Sequence, residues 1–171
     1  QDELRYVLNA VAPEFRDSEF TWEDFRSRVN NELVAVLGNF FHRTLVLTGK
    51  FFDHRVPPRY DMSADGLHAV DISSAIAKAK EEIEDRVETY RFREAQNAMM
   101  SLARAGNKLL TETEPWKLVK TDPEKGAAII HYCLQVAANL AVLAEPFLPH
   151  KAAEMRRILG TPDPDWQRVG H

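Results

Sequence analysis

The sequence predicts an all-α fold, an antiparallel helical bundle of about five helices, and three observations carry that expectation. Apolar residues recur at steps of three and four over long stretches, which is one face of an α-helix. Glycine is scarce, 7 in 171 residues, which suits helices and argues against a β-rich chain. Helix punctuation is explicit: Asp122-Pro123 sets an N-cap ahead of a proline at the first helical position.

The longest element runs from Thr21 to about Phe51. Trp22, Phe25, Val29, Leu33, Val36 and Phe40 form its stripe, and Val34, Leu37, Phe41 and Leu45 widen it, so the helix is expected to be mostly buried. Thr21 is its N-cap, with Asp24 three residues on as a weak capping box. Before it, Asp2 to Val11 carries Leu4, Val7, Leu8 and Val11 at helical spacing, and Pro13 stops that short helix. After it, Phe52 to Val70 holds Pro57, Pro58 and Gly66 and reads as an irregular crossing. Asp71 caps a helix striped by Ile72, Ile76, Ala79, Ile83 and Val87, whose charged face bears Glu81, Glu82, Glu84, Asp85 and Glu88. A further helix follows the Tyr90-Arg91-Phe92 corner through Met99 and Leu102 to Leu110. Thr111 to Asp122 reads as a connection, and a helix from Pro123 runs through Ile130, Cys133 and Leu140 until Pro146 and Pro149. Lys151 to Leu159 makes one more short helix. The domain is therefore 1–159, with 160–171 a loose C-terminal tail or linker.

Composition narrows the function classes. The charge balance of −4 gives no general electrostatic pull toward nucleic acid, so any such contact is local. No apolar run near the length of a membrane span is read from the sequence. The single Cys133 allows no internal disulfide and no thiolate metal site, and it lies on an apolar stripe as a core residue. None of the six histidines, His42, His54, His68, His131, His150 and His171, forms a metal-spaced pair. No phosphate loop, nucleophile elbow or other catalytic constellation is visible. The chain opens at Gln1 inside a helical pattern, which reads as a piece of something longer.

A recognition site is easier to assemble. Asn39 and Arg43 are one turn apart on the border of the apolar face, and together they offer a donor, an acceptor and a guanidinium fork to a docking partner. Equally, Asn39 would be a solvated polar residue and Arg43 the partner of a carboxylate on the next helix. Trp116, after the stiffening Pro115, suits a stacking platform for a flat ligand as well as it suits a core tryptophan pinning a loop.

Taken together, Leu4-Arg5-Tyr6, Asn30-Asn31-Glu32-Leu33-Val34, Gly38-Asn39-Phe40, Arg43, Asn107, Glu114-Pro115-Trp116 and Pro146-Phe147-Leu148-Pro149 resemble the anticodon-binding domain of methionyl-tRNA synthetases. The resemblance spans about Leu4 to Leu159. It implies a class I aminoacyl-tRNA synthetase fold type for the bundle. It also implies a whole protein that joins methionine to tRNA(Met) with ATP and Mg2+, in a Rossmann-type catalytic domain upstream that is its partner in the same chain. Any structural Zn2+ knuckle would lie upstream too, so this stretch has no catalytic or metal residue of its own. It implies a cytoplasmic protein with no membrane partner. By the same resemblance Asn39, Arg43, Trp116 and Pro115 meet the CAU anticodon loop, chiefly its first base, cytosine. Some relatives carry an Asn one turn earlier, where this chain has Ala35, so a contributing hydrogen bond is either missing here or supplied elsewhere, by His42 or His54. Two other readings stay open: the same bundle from a leucine-, isoleucine-, valine- or cysteine-type relative, and a non-enzymatic interaction module using the acidic face from Glu81 to Glu88.

Overall fold

In the computed structural model, residues 1–12, 19–60, 69–161 and 165–170 are described, by backbone only at 69–71, and they contain helices and no strand. The expected long helix is one rod in three sections: α2 (Trp22–Arg28), a π-helical stretch (Val29–Gly38) and α3 (Asn39–Phe52). Thr21 caps it as predicted, its Oγ1 accepting the Asp24 N–H at 3.1 Å. Backbone angles stay helical across both junctions, so the rod is continuous.

The π stretch is what the periodicity did not contain. Its hydrogen bonds reach one residue further than in an α-helix, so each turn is wider and the side-chain phase slips. Leu37, Phe40, Phe41, Thr44 and Leu47 face the core, whereas Trp22 and Val34, placed on the apolar face by the three-four step, are 73% and 59% exposed. Only the second half of the rod is mostly buried. Gly38 ends the wide turns, and a Cβ there would come within 3.2 Å of the Leu33 carbonyl oxygen.

Helix α1 (Asp2–Ala10) crosses the rod through Tyr6, which is fully buried and donates its hydroxyl to Glu32 Oε2 at 2.5 Å. Burial, reinforced by the Glu32 charge, pushes the Tyr6 phenol well above its ordinary range. Beyond the crossing come α4 (Ala69–Glu88) and α5 (Phe92–Thr113), joined by a corner with Tyr90 in the left-handed region at φ 59. The chain then forms α6 (Pro115–Thr121), α7 (Pro123–Leu143) and α8 (Pro149–Leu159). Asp122 caps α7 through the Lys125 N–H at 3.2 Å, as its sequence implied.

Helix α7 is the centre of the bundle and packs on α3, α4, α5, α6 and α8. Although no membrane-length run was read from the sequence, α7 is long and apolar enough to cross a membrane by composition, with a mean hydropathy of 1.6. Its apolar surface is spent on the core: 72% of that window is buried. Cys133 sits there, and burial pushes its thiol up to about 12.

Three expectations change. Residues 115–121 are a helix, not a connection, because Pro115 at the first helical position has a preset φ and no N–H to satisfy. Asp71 lies inside α4 rather than at its start, and its side chain, like Pro13, Gly66, His68 and His171, is outside the described residues. The tail is not loose at its described end. Val169 is buried, the Gly170 N–H donates to Asn139 Oδ1 at 2.9 Å, and the Trp166 indole N–H donates to Glu84. An apolar tryptophan and valine on a polar segment have core to cover, and a composition reading averages them away.

The two ends of the bundle are joined by Asp2. It is 3% exposed, accepts the Lys151 N–H at 2.8 Å and meets His150 Nδ1 at 2.7 Å, and so caps α8 from α1. Burial alone would raise its carboxyl, but the Lys151 N–H and the His150 ring outweigh it and hold Asp2 below its ordinary 3.8. A carboxyl lowered on folding stabilises above its unfolded value and loses that contribution as pH falls through its folded value. Asp2→Ala should lower stability by about 1–2 kcal/mol at neutral pH. In urea unfolding the gap to wild type should close as pH drops below 3.8; a gap independent of pH would contradict the cap.

Candidate nucleic-acid interface

Where α3 runs beside α5, two polar pairs spaced one turn apart face each other. Asn39 Nδ2 donates to Asn107 Oδ1 at 3.1 Å, and Arg43 Nη1 lies 3.5 Å from Thr111 Oγ1, at the long limit of a hydrogen bond. Both rungs join residues 68 apart in sequence, so the two helices run parallel here in matched register. Asn107 reaches further, donating its amide to the Val36 carbonyl at 2.9 Å and to the Ala103 carbonyl at 3.2 Å.

Gly106 makes this approach possible. A Cβ on it would stand 2.5 Å from the ring of Phe40, which is itself fully buried. The ring therefore lies on bare α5 backbone, and the neighbouring Asn107 is carried to the seam between the π stretch and α3. At the top of α5, Glu114 turns the chain with φ 43 and ψ 55, and Pro115 starts α6. That corner aims Trp116 back at the rod, with the Arg43 guanidinium 5.6 Å from its ring centre.

The sequence-predicted residues are thus brought together in part. Asn39 is exposed, Arg43 and Trp116 are half-buried, and Pro115 is buried as the hinge beneath them. Trp116 joins both readings left open for it, its body packed on the core and its ring under a cation. Of the alternative reading, the solvated Asn39 holds, but among the described residues no carboxylate pairs with Arg43.

His42 lies on the groove side of Asn39. It lines an apolar groove of about 570 Å³ between the rod and α8, walled by Leu33, Leu37, Phe41, Leu148 and Met155. Asn39 sits on its rim. His54 packs its ring on Gly49, beyond the far end of the Asn39–Arg43 pair. The residue that does join Asn39 is Asn107, which the sequence reading quoted without a role; Thr111 and Gly106 it missed. The signal was present as a second polar pair at i, i+4, but only the packing register assigns it to the first.

An exposed amide, a guanidinium without a carboxylate and a half-open indole suit a flat ligand with hydrogen-bonding edges, the chemistry of an unstacked base. Among the described residues no group of three or more His, Cys, Asp or Glu could hold a metal ion.

Residues 62–170 match the family model described as the anticodon binding domain of methionyl tRNA ligase, and residues 1–45 match tRNA synthetases class I (M). The chain is 48% identical over 171 residues to a methionine–tRNA ligase of Porphyromonas gingivalis and 47% identical over 170 residues to one of Phocaeicola vulgatus. Each alignment covers 99% of this chain and 25% of the relative, so the chain spans about a quarter of their length. The free-state crystal structure of Mycobacterium tuberculosis methionyl-tRNA synthetase superposes with a TM-score of 0.79 at 25% identity, over 91% of this chain and 32% of that one.

Gly106→Ala should force the Phe40 ring off α5 at a cost of about 1–3 kcal/mol. A thermal melt would read the loss, and a variant as stable as wild type would show that the close approach is not needed.

Proposed function

Because the chain belongs to the family of anticodon-binding domains of methionyl-tRNA ligases, we propose that it reads the CAU anticodon of tRNA(Met) through the Asn39–Arg43–Trp116 patch. The observation that supports this most is the convergence of an amide and a guanidinium from α3 with an indole from α6 on one partly exposed surface. Trp116 stacks the first anticodon base, and Arg43, which only donates, bonds that base's carbonyl and ring nitrogen. Magnitudes favour the exchange this requires. The Arg43–Trp116 contact is worth about 0.5–1 kcal/mol at an exposed site, whereas a stacked base gains about 1–3 kcal/mol. The guanidinium then leaves the ring for the base edge. Pro115 sets the angle of the platform, and His42 flanks the patch from the groove side.

The whole protein is a methionine–tRNA ligase of class I that works in the cytoplasm with ATP and Mg2+. The catalytic domain, and any zinc knuckle, lie in the part of the relatives' length that this chain does not span. This chain's own part of the reaction is to select the tRNA.

Binding of short anticodon stem-loops to the 171-residue chain tests the proposal. CAU should bind more tightly than GAU at fixed salt, and Arg43→Ala should weaken CAU roughly tenfold while leaving the helical spectrum unchanged. Equal affinity of the wild-type chain for both loops would mean that only charge is being read.

A further inference from the structure

We propose that Asn107 is a positioning residue that fixes the side-chain amide of Asn39 with its carbonyl oxygen outward, and so makes the patch select cytosine over uracil. The inference rests on the reading of this patch as the seat of the first anticodon base.

An asparagine amide is free to serve as donor or acceptor unless its partners decide the matter. Here they do. The Val36 and Ala103 backbone oxygens can only accept, and both lie within hydrogen-bond distance of one atom of the Asn107 side chain, at 2.9 and 3.2 Å. That atom is therefore the Asn107 nitrogen. Its oxygen is left facing Asn39 at 3.1 Å, so the group Asn39 turns to it is the Asn39 nitrogen. Rotating the Asn39 amide would set two carbonyl oxygens against each other at that distance. Asn39 Oδ1 consequently points away from Asn107, on a residue that is exposed.

One turn on, Arg43 presents donors alone. Along α3 the surface reads as an acceptor followed by donors. Cytosine offers the complement, an amino donor followed by ring-nitrogen and carbonyl acceptors. Uracil puts a carbonyl where cytosine has its amino group and a ring N–H where cytosine has an acceptor. Against a locked Asn39 and an Arg43 that cannot accept, uracil meets oxygen with oxygen and N–H with N–H. Were Asn39 free to rotate, the first of these clashes would vanish and the selection would weaken. The lock is held in place by the close packing at Gly106, which keeps Asn107 in reach of the Val36 carbonyl.

The test compares CAU with UAU stem-loops on the 171-residue chain at one salt concentration. Wild type should prefer CAU. Asn107→Ala should shrink that preference roughly tenfold, chiefly because UAU binds more tightly once the amide can rotate. Asn39→Ala should also lose the preference, and adding Asn107→Ala to it should change nothing more. Asn107→Leu, which keeps the volume, repeats the test should the alanine variant unfold. A CAU-to-UAU ratio that stays at the wild-type value in a folded Asn107 variant overturns the positioning role while leaving the site standing. A wild-type chain that binds CAU and GAU equally overturns the site itself.

Discussion

The bare backbone of α5 at Gly106, pressed against the ring of Phe40, is the constraint on which the patch depends. Two helices that touch through side chains sit farther apart than two that meet through a glycine. At the wider spacing the Asn107 amide would not reach the Val36 carbonyl, and the rungs from Asn39 and Arg43 to α5 would open. The π stretch acts in the same place. It ends at Gly38, one residue before Asn39, so the wide turns finish where the recognition pair begins. Local departures from α geometry of this kind recur at functional sites.

The proposed patch would explain how a chain with a net charge of −4 can belong to a family of anticodon-binding domains. Affinity for nucleic acid usually comes from neutralised phosphates, and it is then indifferent to sequence. Three side chains that stack and hydrogen-bond instead give little affinity and much selectivity, because each wrong base leaves a polar group unpaired at about 1–3 kcal/mol. On this proposal the remaining contacts to the tRNA would come from outside this chain, which spans about a quarter of its relatives' length.

Much of the fold was legible because it rests on local rules. Thr21 and Asp122 cap where their side chains say they should, and the corner at Tyr90 falls within the expected Tyr90-Arg91-Phe92 boundary. The π stretch was not legible, since Val29 to Gly38 carries an apolar pattern that fits either helix and only packing decides. Trp166 and Val169 were missed for a related reason: two apolar residues in a polar segment show no period, yet each has core to cover. At the site, Asn39, Arg43 and Trp116 were nameable from the resemblance, which also held Asn107 without a role, but Thr111 and Gly106 were not. The pairing of Asn39 with Asn107 and of Arg43 with Thr111 depends on a register between distant helices, which no local pattern encodes.

The central claim, that an anticodon base stacks on Trp116, is tested most directly by making that indole the only fluorophore of its kind. The sequence has three tryptophans, so Trp22→Phe with Trp166→Phe isolates it. Titration with a CAU stem-loop should quench the remaining emission, and a GAU stem-loop at the same concentration and salt should not. A CAU stem-loop that binds and leaves the emission of Trp116 unchanged would contradict the claim.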